Sequence, residues 1–168
     1  MMRVGYGYDI HRLVRGRRLV LGGVEVESEV GPDGHSDADV VLHAISDAML
    51  GAAGLGDIGE HFPDTDPRFR DADSGALAEH LVAIVTDRGF RVVNADFTIV
   101  TELPKLHAYK EKIRRNVARL LRVDETRVNI KAKTREGLDA VGEGRAMEAH
   151  AVVLISREDG AGDGGSQA

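Results

Sequence analysis

The chain has 168 residues, the length of one domain, and its 22 basic and 28 acidic residues give a net charge of −6. It contains no cysteine, which excludes disulfide scaffolds, thiolate metal sites and cysteine nucleophiles. The acidic charge and an aromatic content of only 4% argue against nucleic acid and anionic membranes as partners. Because there are seven histidines and no cysteine, a transition-metal site would have to use imidazole and carboxylate ligands.

The sequence predicts neither a targeting signal nor a membrane-spanning segment. The N-terminal residues lack the apolar core of a signal peptide, and no apolar run approaches the roughly 20 residues that span a bilayer. We therefore expect a cytoplasmic protein. Residues 157–168 are rich in Gly, Asp, Ser and Gln, a composition that buries little apolar surface and predicts a disordered tail.

In chain order, the pattern predicts short strands first and a helix next. Strands are expected at residues 4–11, 18–21 and 24–27, before a turn at 31–34. The helix that follows has apolar residues at helical spacing as far as Ala53. Either Ser36 or Asp37 is expected to cap its N-terminus.

The second half of the chain alternates between helices and strands. Residues 54–73, rich in Gly, Pro and Asp, form a long loop that is either functional or disordered. After it we expect a helix from its cap Ser74 to a stop at Gly89, a strand at 91–101, a helix at 106–121, a strand at 128–134, a Gly-rich loop at 137–144 and a strand at 147–155. This order predicts a single-domain α+β fold, an α/β sandwich in which helices cover one face of a mixed sheet.

One set of residues has the spacing of metal ligands. Asp9 and His11 are two apart on a predicted strand, so both side chains point to the same face. Asp39, His43 and Asp47 form a polar stripe on the first helix. Two imidazoles and one carboxylate are a common ligand set for a catalytic zinc. A salt-bridged surface pair and a solvated histidine would produce the same spacing.

Three further segments are ambiguous by themselves. Residues 34–37 could bind an anion at a helix N-terminus or simply cap the helix. Asp57, Asp64 and Asp66 could hold hydroxyl groups or a cation, or could serve turn geometry. Residues 131–137 end a strand and enter a Gly-rich loop, so their polar groups could contact phosphates or be solvated.

Four stretches together carry a resemblance to a known family. The chain resembles the 2-C-methyl-D-erythritol 2,4-cyclodiphosphate synthases from Arg3 to about Ile155. The stretches are GYDIHR (7–12), HSDADVVLHA (35–44), GLGDIGEHFPDTDP (54–67) and KAKTRE (131–136). The resemblance implies that residues 1–156 are the catalytic domain.

The resemblance implies two metal sites. Asp9, His11 and His43 match the family's zinc ligands, and Glu136 matches the carboxylate that holds a second divalent cation, magnesium or manganese. These four residues, with Thr134, are the expected catalytic residues.

The resemblance also implies the substrate contacts. One group lies at the first helix and the loop after it, where it would hold the methylerythritol part: His35, Ser36, Asp57, Gly59, Phe62 and Asp64. A second group would bind the cytidine nucleotide: Lys105, Ala132 and Thr134.

The implied activity is that of a phosphorus–oxygen lyase of non-mevalonate isoprenoid biosynthesis. The 2-phosphate of 4-diphosphocytidyl-2-C-methyl-D-erythritol 2-phosphate attacks the β-phosphorus, giving 2-C-methyl-D-erythritol 2,4-cyclodiphosphate and CMP. The implied assembly is a homotrimer whose sheets face the axis and whose active sites lie between subunits. Two alternatives keep the same residues: a zinc-dependent phosphohydrolase and a non-catalytic nucleotide-binding trimer.

Three features depart from the family pattern. Ala38 stands where a glycine is common, a change expected to be harmless if the position is already helical. Lys133 and Arg135 replace two hydroxyl residues, and both would favour an anionic substrate. The loop at 138–142 is shorter than the common form, which in the family lines a cavity on the threefold axis.

Overall fold

The computed structural model describes residues 1–34, 36–63 and 72–157. The strands are β1 (Met2–Arg15), β2 (Leu19–Leu21), β3 (Val24–Val26), β4 (Val30–Pro32), β5 (Phe90–Val100), β6 (Val128–Lys133) and β7 (Ala146–Arg157). The helices are α1 (Val40–Ala53), α2 (Ile58–His61), α3 (Ser74–Asp87), α4 (Lys110–Leu121) and α5 (Asp139–Gly142), with a 3₁₀ turn at Glu125–Arg127. Within the described part of the chain, no helix is long and apolar enough to cross a bilayer.

Five strands form one mixed sheet in the order β4-β1-β7-β5-β6. β6 runs parallel to β5, whereas the other neighbours pair antiparallel. The two remaining strands, β2 and β3, form a separate antiparallel ribbon. The predicted α+β sandwich with a mixed sheet is therefore confirmed.

The helices cover one face of this sheet, as the sequence predicts. Along β1 the residues of one parity, such as Gly5 and Gly7, are buried, whereas Val4 and Tyr6 of the other parity are exposed. The core lies between the sheet and helices α1, α3 and α4. Its largest fully buried side chains include Phe97, Ile99 and Met147 from the sheet and Ile45, Met49, Leu81, Ile113 and Leu120 from the helices.

Two glycines allow α1 to pack directly on the backbone of β1. A Cβ atom on Gly5 would lie 1.8 Å from the carbonyl oxygen of Ala48, and one on Gly7 would lie 1.9 Å from that of Ala44. Both distances are far below van der Waals contact, so only glycine fits at either position. The helix and strand backbones consequently lie closer together than side-chain packing would permit.

The start of α1 differs from the prediction. The cap is Asp39, whose carboxylate accepts hydrogen bonds from the backbone N–H groups of Val41 and Leu42, both at 3.1 Å. It also accepts from Gly22 at 2.9 Å and Gly23 at 2.6 Å. Complete burial raises the pKa of Asp39 to about 6 although these N–H groups lower it, so the cap is ionised at neutral pH. Ser36 and Asp37 are therefore not the cap, because the helix begins only at Val40.

Other boundaries also differ from the prediction. Asp73 rather than Ser74 caps α3, and α4 begins at Lys110 rather than near Leu106. The short helices α2 and α5 lie inside segments that were predicted as loops. Ala38 is not helical: its φ of 52° is in the left-handed region that favours glycine, so the expectation of a helical position is wrong.

The C-terminal strand extends one residue into the predicted disordered tail, so that prediction is wrong for Arg157. Arg157 is the last residue of β7, and its backbone N–H donates to the carbonyl oxygen of Met1 at 2.8 Å. The other tail residues, 158–168, lie outside the described residues.

Gly7→Ala tests the close packing of α1 on β1. We expect it to lower the free energy of unfolding by about 3 kcal/mol or more, because the new methyl group overlaps a backbone oxygen that cannot move alone. Urea unfolding monitored by circular dichroism measures the change. Gly51→Ala is the control: it lies on exposed α1 surface with nothing within 4 Å of the added Cβ. It should raise stability by about 0.5 to 1 kcal/mol. Equal stability of the two variants would contradict the close packing.

Candidate functional site

Strand β1 and helix α1 bring three potential metal ligands together. Asp9 and His11 follow Gly5 and Gly7 on the helix-facing side of β1, and His43 precedes Ala44 on α1. The close approach at the two glycines therefore places the His43 imidazole beside Asp9 and His11. Among the described residues, these three form the one cluster of metal-ligating side chains whose ligand atoms all lie within 4.8 Å of one another.

The three ligand atoms form a nearly regular triangle. Asp9 Oδ2 is 3.0 Å from both His11 Nε2 and His43 Nδ1, and these two nitrogens are 3.5 Å apart. A tetrahedral zinc ion with bonds of about 2.0 Å would hold its ligand atoms about 3.3 Å apart. The three side chains are 16 to 23% exposed to solvent, so the centre has an open side. The triangle thus fits a small divalent cation with a free coordination position.

The outer contacts of the triad leave these atoms facing one another. His11 Nδ1 is 3.1 Å from the carbonyl oxygen of Asp33, and His43 Nε2 is 3.1 Å from the hydroxyl of Ser74. Asp9 Oδ1 accepts from the backbone N–H of Ile10 at 2.9 Å, which leaves Oδ2 for the centre. With a proton on each outer nitrogen, three lone pairs converge on one point, an arrangement that a cation stabilises.

The electrostatics of the triad favour a positive charge at its centre. Burial raises the pKa of Asp9, but hydrogen bonds from His11 and His43 outweigh it and hold that pKa well below its usual range. Burial lowers the pKa of His43, but the Asp9 carboxylate outweighs it and leaves that pKa raised. Asp9 is therefore a permanent anion at neutral pH, able to hold either a proton on His43 or a metal ion.

The other two members of the predicted helical stripe do not join the triad. Asp39 is buried as the cap of α1. Asp47 accepts a hydrogen bond from the backbone N–H of Ile58 at 2.8 Å and so anchors the start of α2. Of the stripe, only His43 takes part in the cluster.

The predicted substrate residues near the triad are partly described. The hydroxyl of Ser36 accepts from the backbone N–H of Ala38 at 3.0 Å. Asp57 caps α2, where it accepts from Glu60 N at 3.0 Å. Gly59 is exposed, and the half-buried ring of Phe62 is 5.9 Å from that of His80. His35 and Asp64 lie outside the described residues, as does Asp66.

The predicted nucleotide residues line a separate cavity of about 440 Å³. The predicted nucleotide residues are Lys105, Ala132 and Thr134. The same cavity is also lined by Glu136, Lys110 and Lys133. The Thr134 hydroxyl donates to Glu136 Oε1 at 2.7 Å. Sequence reasoning did not identify Thr101, Leu106, His107 or Lys110, which also line the cavity. The place of Lys110 at the first turn of α4 carries no distinguishing pattern.

Within one chain, this cavity is far from the triad. Asp9 pairs with Ala149, Ala149 with Ile99, and Ile99 with Ala132. Neighbouring strands lie about 4.8 Å apart, so three steps separate Asp9 from Ala132 by about 14 Å. A single chain therefore presents two distinct half-sites.

The substitution at Arg135 has a structural role that its charge alone does not reveal. Its guanidinium pairs with Glu148, a carboxylate that is only 3% exposed and that also accepts from the Tyr8 hydroxyl at 3.1 Å. A buried carboxylate without this partner would be costly. Arg135 thus neutralises Glu148, and the expectation that it favours an anionic substrate is not supported by these contacts.

The most informative residue missed by sequence reasoning is Ser74. It was predicted only as a helix cap, yet it contacts His43 across 31 positions of sequence. Arg17 was not singled out either, although it donates to the carbonyl oxygens of Pro32, Gly34 and Ser36. Neither contact has a signal in local spacing.

Comparisons with known proteins identify close relatives. The model of the YgbB family matches residues 2–156. A 2-C-methyl-D-erythritol 2,4-cyclodiphosphate synthase of Desulfosudis oleivorans is 56% identical over 158 residues, covering 94% of either chain. Among solved structures, the bifunctional IspDF of Campylobacter jejuni is similar with a TM-score of 0.91 and 39% identity, over 95% of this chain but 43% of that one. A CDP-bound 2C-methyl-D-erythritol-2,4-cyclodiphosphate synthase has a TM-score of 0.85 and 41% identity, and the match covers 92% of this chain and 100% of that one.

His43→Ala tests whether the triad holds a metal ion. We expect the variant to lose the bound divalent ion while keeping its fold, because two remaining ligands hold a cation weakly. Elemental analysis of dialysed protein, with circular dichroism for the fold, measures this. His80→Ala is the control, since His80 is exposed and outside the triad. Normal metal content in His43→Ala would contradict the ligand assignment.

Proposed function

The chain belongs to the YgbB family, and on this premise we propose that it converts 4-diphosphocytidyl-2-C-methyl-D-erythritol 2-phosphate to 2-C-methyl-D-erythritol 2,4-cyclodiphosphate and CMP. The reaction is that of a phosphorus–oxygen lyase in non-mevalonate isoprenoid biosynthesis. The observation that carries the proposal is the triangle of Asp9, His11 and His43 in a chain matched by the family model over residues 2–156. In this proposal residues 1–156 are the catalytic domain, and the location is cytoplasmic.

The proposed chemistry is an intramolecular phosphoryl transfer. A 2-phosphate oxygen forms a bond to the β-phosphorus, the bond from that phosphorus to the bridging oxygen breaks, and CMP leaves with the electron pair. The nucleophile is already an anion, so the chain needs no strong base. Holding both ends of one molecule in line is the main requirement, and such positioning is worth up to about 7 to 11 kcal/mol.

Two cations are part of the proposal. Zinc fits Asp9, His11 and His43, because imidazole and carboxylate atoms at tetrahedral spacing suit that ion. Magnesium or manganese suits the exposed Glu136 carboxylate, since these ions prefer oxygen ligands. When bound, the two cations supply Lewis-acid neutralisation of the diphosphate charge.

The residues of the chain bind and orient the substrate. Lys105 lines the cavity of about 440 Å³ and would supply a positive charge to the nucleotide, while Ala132 would leave room for the cytosine and Thr134 would donate to a phosphate oxygen. At the other end, His35, Ser36, Asp57, Gly59, Phe62 and Asp64 hold the methylerythritol part. Thr134 also orients Glu136 through the hydrogen bond between them.

A homotrimer with shared active sites completes this scheme. The two half-sites of one chain are about 14 Å apart across the sheet, whereas one diphosphate must reach both cations. With the triad of one subunit beside the cavity of its neighbour, both cations can contact the same diphosphate. The uncovered sheet face supports the assembly, because it exposes apolar side chains such as Val4, Ile10 and Val152 toward the proposed axis.

Product analysis tests the proposed reaction. We expect incubation with the diphosphocytidyl substrate, zinc and magnesium to give the cyclic diphosphate and CMP in equal amounts, because the attacking group belongs to the substrate. Phosphorus NMR follows both products. Free inorganic phosphate would indicate a phosphohydrolase instead, and nucleotide binding without turnover would indicate a binding module.

Glu136→Gln tests the second cation. We expect turnover to fall about 100-fold or more, by analogy with the loss of one charge-stabilising group, while zinc content stays normal. Steady-state CMP release and elemental analysis measure the two quantities. Glu143→Gln is the control, because Glu143 is exposed and paired with Arg145. Parallel loss of zinc and turnover in Glu136→Gln would contradict a separate second site.

A further inference from the structure

The outer nitrogen of His43 faces a buried hydroxyl. Ser74, the first residue of α3, is only 2% exposed, and its Oγ is 3.1 Å from His43 Nε2. The same residue is bound to Asp37 twice. Its hydroxyl contacts Asp37 Oδ1, and its backbone N–H donates to Asp37 Oδ2 at 3.1 Å.

The chemistry of these groups fixes the direction of each hydrogen bond. An ionised Asp37 carboxylate can only accept, so the Ser74 hydroxyl must donate its proton to it. The oxygen of that hydroxyl is then free to accept, and its partner is the Nε2–H of His43. A neutral His43 with its proton on Nε2 presents the lone pair of Nδ1 to Asp9 and the centre of the triad.

Asp37 is itself held in place by the backbone on both sides. Its Oδ1 accepts from the backbone N–H of Asp39 at 3.3 Å, and its own N–H donates to the carbonyl oxygen of Ala72 at 3.4 Å. Asp37 and Ser74 therefore link the start of α1, which carries His43, to the start of α3.

We propose that Ser74 and Asp37 are positioning residues that hold His43 in the tautomer and orientation in which Nδ1 binds the metal ion. This inference rests on the proposed function, because it presupposes that His43 is a metal ligand. Outer contacts of this kind, in which a ligating histidine donates its other N–H, typically change metal affinity by about 10- to 100-fold when they are removed.

The two histidines of the triad differ in how they are held. His11 Nδ1 donates to the backbone carbonyl of Asp33, which no side-chain substitution removes. His43 depends on a side chain that a single substitution deletes, and a carboxylate lies behind that side chain. The negative charge of Asp37 makes the hydroxyl a better acceptor, which increases the electron density that His43 offers to a cation.

The first experiment compares Ser74→Ala with Thr86→Val. Ser74→Ala removes the hydroxyl that contacts His43. Thr86→Val removes a hydroxyl from the opposite end of the same helix, where it donates to the Val82 carbonyl at 2.7 Å. Zinc affinity is measured by chelator competition, and the visible spectrum of the cobalt-substituted protein reports the geometry of the centre. The thermal stability of each metal-free variant is measured alongside.

We expect Ser74→Ala to weaken zinc binding about 10- to 100-fold and to alter the cobalt spectrum, while Thr86→Val matches the starting protein. Ser74→Thr keeps the hydroxyl and should restore most of the affinity. Unchanged zinc affinity in Ser74→Ala would overturn the inference, as would an equal loss in Thr86→Val. Absence of zinc binding by the unmodified chain would instead overturn the ligand assignment in the proposed function.

A second pair of variants tests the carboxylate. Asp37→Asn removes the charge behind Ser74, and we expect weaker zinc binding in this variant too. Asp73→Asn is the matched control, because Asp73 lies beside Ser74 but only caps α3 by accepting from Gly75 N at 2.7 Å. Affinity that stays normal in Asp37→Asn, or that falls equally in both variants, would overturn the role of Asp37.

Discussion

The contact between α1 and β1 is the constraint on which the rest of the molecule depends. Because Gly5 and Gly7 have no side chain, the carbonyl oxygens of Ala48 and Ala44 can lie almost directly on the strand. Asp9, two residues beyond Gly7 on the same face of β1, then lies beside His43, the neighbour of Ala44 on the helix. The potential metal ligands Asp9, His11 and His43 meet for this reason, so the packing that builds the core also builds the candidate site.

The proposed function also reconciles the acidic charge of the chain with a polyphosphate substrate. A net charge of −6 argues against binding to a nucleic acid, whose many phosphates would be repelled. A small substrate held by two divalent cations, as proposed, would be different, because the ions would bring four positive charges into one site. In this proposal Asp9 and Glu136 would account for part of the carboxylate excess. Lys105, Lys110 and Lys133 add positive charge to the cavity proposed to bind the nucleotide.

Much of the fold was predictable because local patterns carry it. The alternation of Val4, Tyr6 and Tyr8 with glycines and polar residues identified β1, and the apolar spacing up to Ala53 identified α1. The cap of α1 was not predictable, because Ser, Asp and Asp all occur just before it and each is a good cap. Asp39 serves as the cap since it alone meets the backbone of Gly22 and Gly23, residues brought there by the β2–β3 turn.

The sequence by itself determined the kinds of groups that could serve as ligands, the face of β1 that carries Asp9 and His11, and the resemblance to one family. Only the tertiary structure decided which polar residues meet. It joined His43 to Ser74 and Asp37, assigned Arg135 to the buried Glu148, and placed two strands between Ala132 and Asp9. The physical reason is the range over which each kind of signal acts. Periodicity records only which way a side chain points within one element. Hydrogen bonds and ion pairs require distances of about 3 Å between elements, and the packing of the whole chain sets those distances.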